Sequence, residues 1–289
     1  MTEVTRPALR YHGGKFRMAP WILKFFPPHK AYVEPYGGAA SVLLLKERAS
    51  AECYNDLDSA IVSVFRILRD PVSALELQRR VALTPFARDE FDWSYEPAVD
   101  EMDAAHKLVL RSFMGHGSDS ATRSCRTGFR SRLTDGRGLP AYEWSTWADA
   151  IPTFTRRLAG VLIENRDAVE VIRRMDHVDT LLFVDPPYVH STRSAIAGRS
   201  AKTHGYRHEM DDDAHRDLAG VLHAVAGMVV LSGYPSALYD ELYPTWERFE
   251  RRAMADGAKA RTEVVWLNRA CSAALERSRG GLFATEFTR

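Results

Sequence analysis

The tetrapeptide Asp185-Pro186-Pro187-Tyr188 follows directly on an apolar run, Leu181 to Val184, that reads as a β-strand. An acid at the carboxyl end of a parallel strand lies where open α/β sheets bind their ligands. Two prolines lock the backbone of the turn and remove two N–H donors, so carbonyls face the site. The tyrosine adds a flat face. Carboxylate, carbonyl and ring together suit a planar heterocycle with an exocyclic NH2. Asp185 and the Pro186 carbonyl can each accept one amino hydrogen while Tyr188 stacks on the ring. An aromatic amine is a poor nucleophile because its lone pair is delocalised. Holding both hydrogens out of conjugation localises that pair toward an incoming methyl group. The competing reading is a proline-rich turn with a capping aspartate.

Two further segments could bind a cofactor. Glu34-Pro35-Tyr36-Gly37-Gly38-Ala39-Ala40-Ser41 lies between the strand Ala31–Glu34 and a following helix. Its small residues let a ligand approach the backbone closely. The G-x-G-x-x-G dinucleotide fingerprint is absent, and alone the segment is equally a tight strand–helix turn. Asp56 ends the next strand, 22 residues after Glu34, an offset at which an acid typically binds ribose hydroxyls. Tyr11-His12-Gly13-Gly14-Lys15 precedes the first strand. Phe16 follows Lys15, so this is no Walker loop. The ammonium can meet the carboxylate of an amino-acid-like cofactor, or it can simply be solvated.

The elements that must position these residues alternate. Strands are expected at Ala31–Glu34, Ala51–Tyr54, Val161–Ile163, Leu181–Val184, Met228–Leu231 and Glu263–Leu267. Helical periodicity fills most of the intervals, as with Ile61, Val64, Phe65 and Leu68. Short strands with few polar positions imply a mostly parallel sheet covered on both faces. From about Asp70 to Gly160 helical patterns occur (Asp103 to Phe113, Thr146 to Leu158) without a buried strand. The expected division is therefore 1–70 and 161–289 for the two parts of an α/β domain, with 71–160 inserted. Trp144, Trp147, Phe154 and Leu158 are expected in the helix core. No apolar run is long enough to span a bilayer, and Met1-Thr2-Glu3 does not read as a signal peptide. Cys53, Cys125 and Cys271 are too scattered for a disulfide framework or a zinc site. A reducing cytoplasm and no metal are expected.

The succession Y-x-G-G-K, V-E-P-Y-G-G, N-D-L-D, a long central segment and D-P-P-Y resembles the Dam-like family of DNA adenine-N6 methyltransferases, in its alpha order of motifs. The likeness runs from about Arg10 to Asn268 and takes in Leu231-Ser232-Gly233-Tyr234 and Arg261-Thr262-Glu263. It implies a Rossmann-like class I S-adenosylmethionine-dependent methyltransferase sheet with an inserted, mainly helical target-recognition domain. By the same resemblance Tyr11, Lys15, Glu34, Pro35, Tyr36, Gly37, Gly38, Asp56, Asp167 and Asp185 bind S-adenosylmethionine, Tyr36 standing where the family usually has phenylalanine. Asp185, Pro186, Pro187 and Tyr188 match the catalytic motif. The substrate implied is adenine extruded from double-stranded DNA, methylated directly and without a covalent enzyme intermediate, in a bacterial or phage-encoded enzyme. RNA adenine-N6 methylation and an inactive DNA-binding homologue are the alternatives; cytosine-N4 enzymes usually carry serine in place of Asp185. The Arg-Tyr-Asn and Gly-x-Phe-Asn elements of GATC-specific members are missing, so GATC recognition is not expected. Target sequence, oligomeric state and any endonuclease partner stay open.

Net charge is only +1, but the charge is unevenly spread. The segment 111–137 carries Arg111, Arg123, Arg126, Arg130, Arg132 and Arg137 against Asp119 and Asp135, interleaved with serine, glycine and Phe129. The segment 190–208 carries Arg193, Arg199, Lys202 and Arg207 and no acid. Arginine serves both phosphates and the guanine edge. Beside a motif shaped for a base, the expected DNA contacts are Arg111, Arg123, Arg126, Arg130, Arg132, Arg199, Lys202 and Arg207.

Overall fold

A computed structural model describes residues 3–117, 120, 126–131, 139–192, 208–254 and 260–284. Its centre is a seven-stranded sheet of order β3-β2-β1-β4-β5-β7-β6. The strands are β1 (Ala31–Glu34), β2 (Ala51–Asn55), β3 (Leu162–Glu164), β4 (Thr180–Val184), β5 (Met228–Gly233), β6 (Glu247–Met254) and β7 (Ala260–Leu267). The first five run parallel, whereas β7 pairs antiparallel with β5 and β6 antiparallel with β7. The chain builds outward from β1 through β2 to β3, then crosses to the other side for β4. The topological switch therefore falls between β1 and β4, and ligands of open α/β sheets bind at such a point.

Every residue of β4 and β5 is buried, as expected of strands covered on both faces. Successive side chains alternate between two hydrophobic clusters, as the two-residue period of a strand requires. Leu181, Phe183, Met228 and Val230 enter one; Leu182, Val184, Val229 and Leu231 enter the other.

The helices are α1 (Ala19–Ile22), α2 (Ser41–Leu45), α3 (Ser59–Arg69), α4 (Pro71–Leu83), α5 (Arg88–Trp93), α6 (Glu101–Met114), α7 (Pro140–Ser145), α8 (Ile151–Leu158), α9 (Ala168–Met175), α10 (Asp212–Ala224), α11 (Ala237–Leu242) and α12 (Arg269–Ala284). Ile61, Val64, Phe65 and Leu68 are all buried on α3, so the periodicity reports a true core face. Helices from 71–160 bury Leu77, Phe91, Phe113, Trp147 and Phe154 in the same cluster that covers one face of the sheet. Trp144 and Leu158 join them there.

Strand β7 begins three residues before the expected Glu263 and β5 runs two residues past Leu231, and three further local features differ from expectation. The helix expected from Thr146 begins at Ile151, after the short 3-10 turn Ala148–Ala150. Pro152 explains the boundary, since proline fits a first helical turn and breaks an interior one. Strand β3 lies one residue later than read from the apolar run, after a turn at Gly160 with φ of 80°. Strand β6 has no counterpart among the expected strands. It is the sheet edge, and Glu247, Arg248, Glu250, Arg251 and Arg252 line it with charge. Charges of this kind blunt an edge against pairing with another chain, and they erase the apolar signature of a strand.

Candidate functional site

The carboxyl ends of β1, β2, β3 and β4 surround a cavity of about 370 Å³. Of the expected cofactor residues, Tyr11, Lys15, Glu34, Pro35, Tyr36, Gly37, Gly38, Asp56, Asp167 and Asp185 all line it.

The turn after β1 is built by exclusion of side chains. A Cβ on Gly37 would lie 2.2 Å from Cε2 of Tyr54 and 3.0 Å from the Asn55 carbonyl oxygen. Gly38 has φ of 47°, a conformation that glycine adopts without strain. The Gly37 amide donates to the Asn55 carbonyl at 2.7 Å, and the Asn55 side chain donates to the Pro35 carbonyl at 2.8 Å. Glu34 fastens the turn from below. Its buried Oε1 accepts from the Tyr32 hydroxyl at 2.6 Å and the Leu43 amide at 2.6 Å. Burial pushes its carboxyl up to about 7, against those two bonds.

Asp56 stands one residue beyond β2. One oxygen accepts from the Gly38 amide at 2.8 Å and the other from the Asp58 amide at 2.8 Å. Burial raises its carboxyl to about 6, opposed by those amides and by His208. Asp167 caps α9, accepting from the amides of Val169 and Glu170 at 2.9 and 3.2 Å. Leu57, Ala168 and Val169 give the cavity an apolar wall beside it.

Lys15 joins this cavity to the D-P-P-Y turn. Its buried ammonium donates to the Gly13 carbonyl at 3.1 Å, pairs with Oδ2 of Asp185 at 3.1 Å, and donates to the Tyr188 hydroxyl. It also lies 4.6 Å from the Tyr188 ring centroid. Burial raises the Asp185 carboxyl; the Lys15 charge opposes that, Glu263 adds to it, and hydrogen bonding by Lys15 and Ser232 opposes it further. Oδ1 of Asp185 is buried without a hydrogen-bond partner among the described residues, and so is Oγ of Ser41, which lines the same cavity. A buried acceptor left unmade is costly, so these two atoms mark where a polar ligand would be received. Pro186 is buried and Pro187 lines the cavity. Tyr188 is buried on the far side of Lys15, with Tyr234 edge-on at 4.3 Å.

The arginines sort differently. Arg111 donates to the Ser94 carbonyl and lies 5.6 Å from the Tyr95 ring. Arg130, with 18% of its side chain exposed, donates to the Phe113 carbonyl at 3.0 Å and to Glu143 at 3.2 Å. Arg126 pairs with Asp92 and lies 5.5 Å from the Tyr95 ring, yet 55% of its side chain is exposed. Arg123, Arg132, Arg199, Lys202 and Arg207 lie outside the described residues.

Motif reading missed Ser41 as a separate contact and the His208–Met210 stretch that lines the cavity, and it took Tyr234, Arg261 and Glu263 into the family likeness without giving them a role beside Tyr188. Ser41 closes the quoted Gly-rich segment and was legible as a hydroxyl at a helix start. No local signal ties Glu263 to Tyr188, because strand pairing alone brings them together.

The described residues hold no group of histidine, cysteine and acid side chains suited to a metal ion, and no helix long and apolar enough to cross a membrane. The sequence matches the family described as D12 class N6 adenine-specific DNA methyltransferase over residues 11–255. No curated protein matches it. Among solved structures, the X-ray structure of precorrin 8w decarboxylase, product of gene MT0146 of Methanobacterium thermoautotrophicum, is 10% identical over 87% of this chain and 88% of that one, with a TM-score of 0.31. That likeness is too slight to bear on the fold.

Proposed function

The chain belongs to the D12 class of N6 adenine-specific DNA methyltransferases, and from that premise we propose that its methyl donor is S-adenosylmethionine, held in the cavity at the strand ends. Asp56 receives the ribose hydroxyls. Leu57, Ala168 and Val169, beside Asp167, offer an apolar wall for the adenine ring of the cofactor. Lys15 supplies positive charge for the amino-acid carboxylate, and Ser41 a further polar contact. When bound, this group supplies a methyl carried on a sulfonium, and hence electrophilic.

The substrate adenine is received at Asp185–Tyr188. The observation that carries this reading is Oδ1 of Asp185, a buried carboxylate oxygen with no hydrogen-bond partner among the described residues, on a residue that lines the cavity and is linked through Lys15 to the Tyr188 hydroxyl. It accepts one N6 hydrogen, the Pro186 carbonyl accepts the other, and Tyr188 stacks on the base. Asp185 does not act first as a general base. The amino proton becomes acidic only once nitrogen carries the new methyl, and the carboxylate then accepts it. Reaching this depth requires the base to leave the duplex stack. The helices of 71–160 form the target-recognition part, in which Arg126 reads DNA and Arg111 and Arg130 hold the segment that carries it. Arg123 and Arg132 join the recognition contacts, while Arg199, Lys202 and Arg207 serve the phosphates.

Calorimetry tests the cofactor assignment. S-adenosylmethionine should bind the wild type and raise its melting temperature by mass action, with affinity weakened in Asp56→Ala and Lys15→Ala. Unaltered affinity in both variants refutes it.

A further inference from the structure

Strand β7 brings two charged residues to the D-P-P-Y turn. Val264 opposes Gly233 in the antiparallel register with β5, which carries Arg261, Glu263 and Tyr234 to one end of the sheet. Arg261 and Glu263 are two residues apart and so share one face of the strand. Each engages an aromatic ring. Glu263 Oε2 accepts from the Tyr188 hydroxyl at 3.2 Å. Arg261 donates to the Tyr234 hydroxyl at 3.2 Å and sits 5.3 Å from that ring's centroid. Tyr234 in turn meets Tyr188 edge-on, with ring centroids 4.3 Å apart and planes at 63°.

The Tyr188 ring is thereby held at two points, its hydroxyl and its edge. The hydroxyl accepts from Lys15 and donates to Glu263, so a chain of contacts runs Asp185–Lys15–Tyr188–Glu263. Glu263 forms no ion pair among the described residues. Glu263 lies near a second acid, Asp185, whose carboxyl it raises, and among the described residues the phenol of Tyr188 donates to it. A bond from phenol to carboxylate is charge-assisted and directional; at 3.2 Å it is a long one, and together with the edge contact of Tyr234 it restrains the Tyr188 ring.

We infer that Glu263 is a positioning residue for methyl transfer, holding the Tyr188 ring by its hydroxyl in the plane on which the extruded adenine stacks. The inference rests on the reading of Tyr188 as the stacking residue. Glu263 does not line the cavity at the strand ends, so it acts through Tyr188.

The test compares Glu263→Ala, Glu263→Gln, Tyr188→Phe, Tyr188→Ala and the double variant Tyr188→Phe/Glu263→Ala. Labelled methyl transfer to unmethylated plasmid DNA gives kcat and KM, and calorimetry with S-adenosylmethionine gives cofactor affinity. Losing a hydrogen bond to a charged group should lower kcat about 10- to 100-fold in Glu263→Ala, with cofactor affinity within about twofold of wild type. Glu263→Gln keeps an acceptor for the hydroxyl and should recover most of the loss. Tyr188→Phe also removes the bond from Lys15 and should lose at least as much as Glu263→Ala, and the double variant no more than Tyr188→Phe, since the phenylalanine already lacks the bond to Glu263. Losses that multiply in the double variant, or a Glu263→Ala enzyme within about twofold of wild type, overturn the inference. Should Glu263→Ala fail to fold, an undiminished kcat in Tyr188→Phe overturns it equally. Tyr188→Ala separates the two readings: full activity there would remove the stacking role itself, whatever Glu263 does.

Discussion

Asp56 makes cofactor affinity depend on pH. Burial lifts its carboxyl from 3.8 to about 6, so in the free protein it is half neutral near pH 6. Ribose hydroxyls donate to the ionised form, and binding must therefore shed the proton. At pH 5 about one carboxyl in eleven is ionised, and at pH 7 about ten in eleven. Affinity for S-adenosylmethionine should thus rise about tenfold between pH 5 and pH 7 and then level off. The folding linkage has the opposite slope. A carboxyl raised by the fold stabilises fully below its unfolded value near 3.8, and that stability is lost as pH rises through 6, by at most about 3 kcal/mol. The ligand-free protein should therefore lose some melting temperature over this range, and the cofactor should restore more of it at pH 7 than at pH 5. Calorimetric titration at half-unit steps from pH 5 to 7.5, on wild type and Asp56→Asn, measures the first effect. The amide cannot titrate, so its profile should be flat. A flat wild-type profile refutes the reasoning, and a slope that survives in Asp56→Asn transfers the proton to another group, of which Glu34, at about 7, is the nearest in value.

Gly37→Ala should be costly, because the new Cβ would meet Tyr54, whose ring is pinned by its hydroxyl bond to the Gly38 carbonyl at 2.8 Å. Overpacking of this kind costs about 1–3 kcal/mol, which a thermal melt should register as a fall of several degrees together with weaker cofactor binding; an unchanged melt contradicts it. Arg126→Ala should leave the melting temperature alone and relax sequence preference at one position by about 1–3 kcal/mol, whereas Arg130→Ala should lower the melting temperature by removing a donor from the Phe113 carbonyl and leaving the Glu143 carboxylate only its longer contact with Arg10 among the described residues. Binding to the modified duplex site and a scrambled duplex, beside thermal melts, distinguishes the two, and the reverse pattern would exchange their roles. Neutralising Arg199, Lys202 and Arg207 together should flatten the slope of log affinity against log salt by about 0.9 for each phosphate that these residues pair with; an unaltered slope removes them from the DNA surface.

Much of this site lies open in the sequence because its parts are local. Strand β4 is an uninterrupted apolar run, and the acid, two prolines and tyrosine that follow it need no partner to be noticed. The Gly-rich turn and Asp56 are legible in the same way, through spacing along neighbouring strands. What is not legible depends on pairing at a distance. Lys15 and Asp185 are joined across the switch point, and nothing near Lys15 reveals that its ammonium lies buried between an acid and a phenol. Strand β6 hides its period behind the charges of an edge. Glu263 falls within a segment of the family likeness but has no legible role until the antiparallel register of β5 and β7 sets it beside Tyr188. Arg130 shows the converse, an arginine in a basic stretch that the fold has drawn inward.

The central claim is that Asp185 receives the amino group of adenine and that the product is N6-methyladenine. Labelled methyl transfer from S-adenosylmethionine to unmethylated duplex DNA, followed by digestion to nucleosides, measures both parts in wild type and Asp185→Ala. The label should appear in N6-methyldeoxyadenosine, and Asp185→Ala, assayed below its melting temperature because it leaves the buried Lys15 without its carboxylate, should lose about 10²–10³ in rate or more, as removal of an oriented electrostatic contact does. A loss of tenfold or less in the folded variant, or label in any other nucleoside, would contradict it.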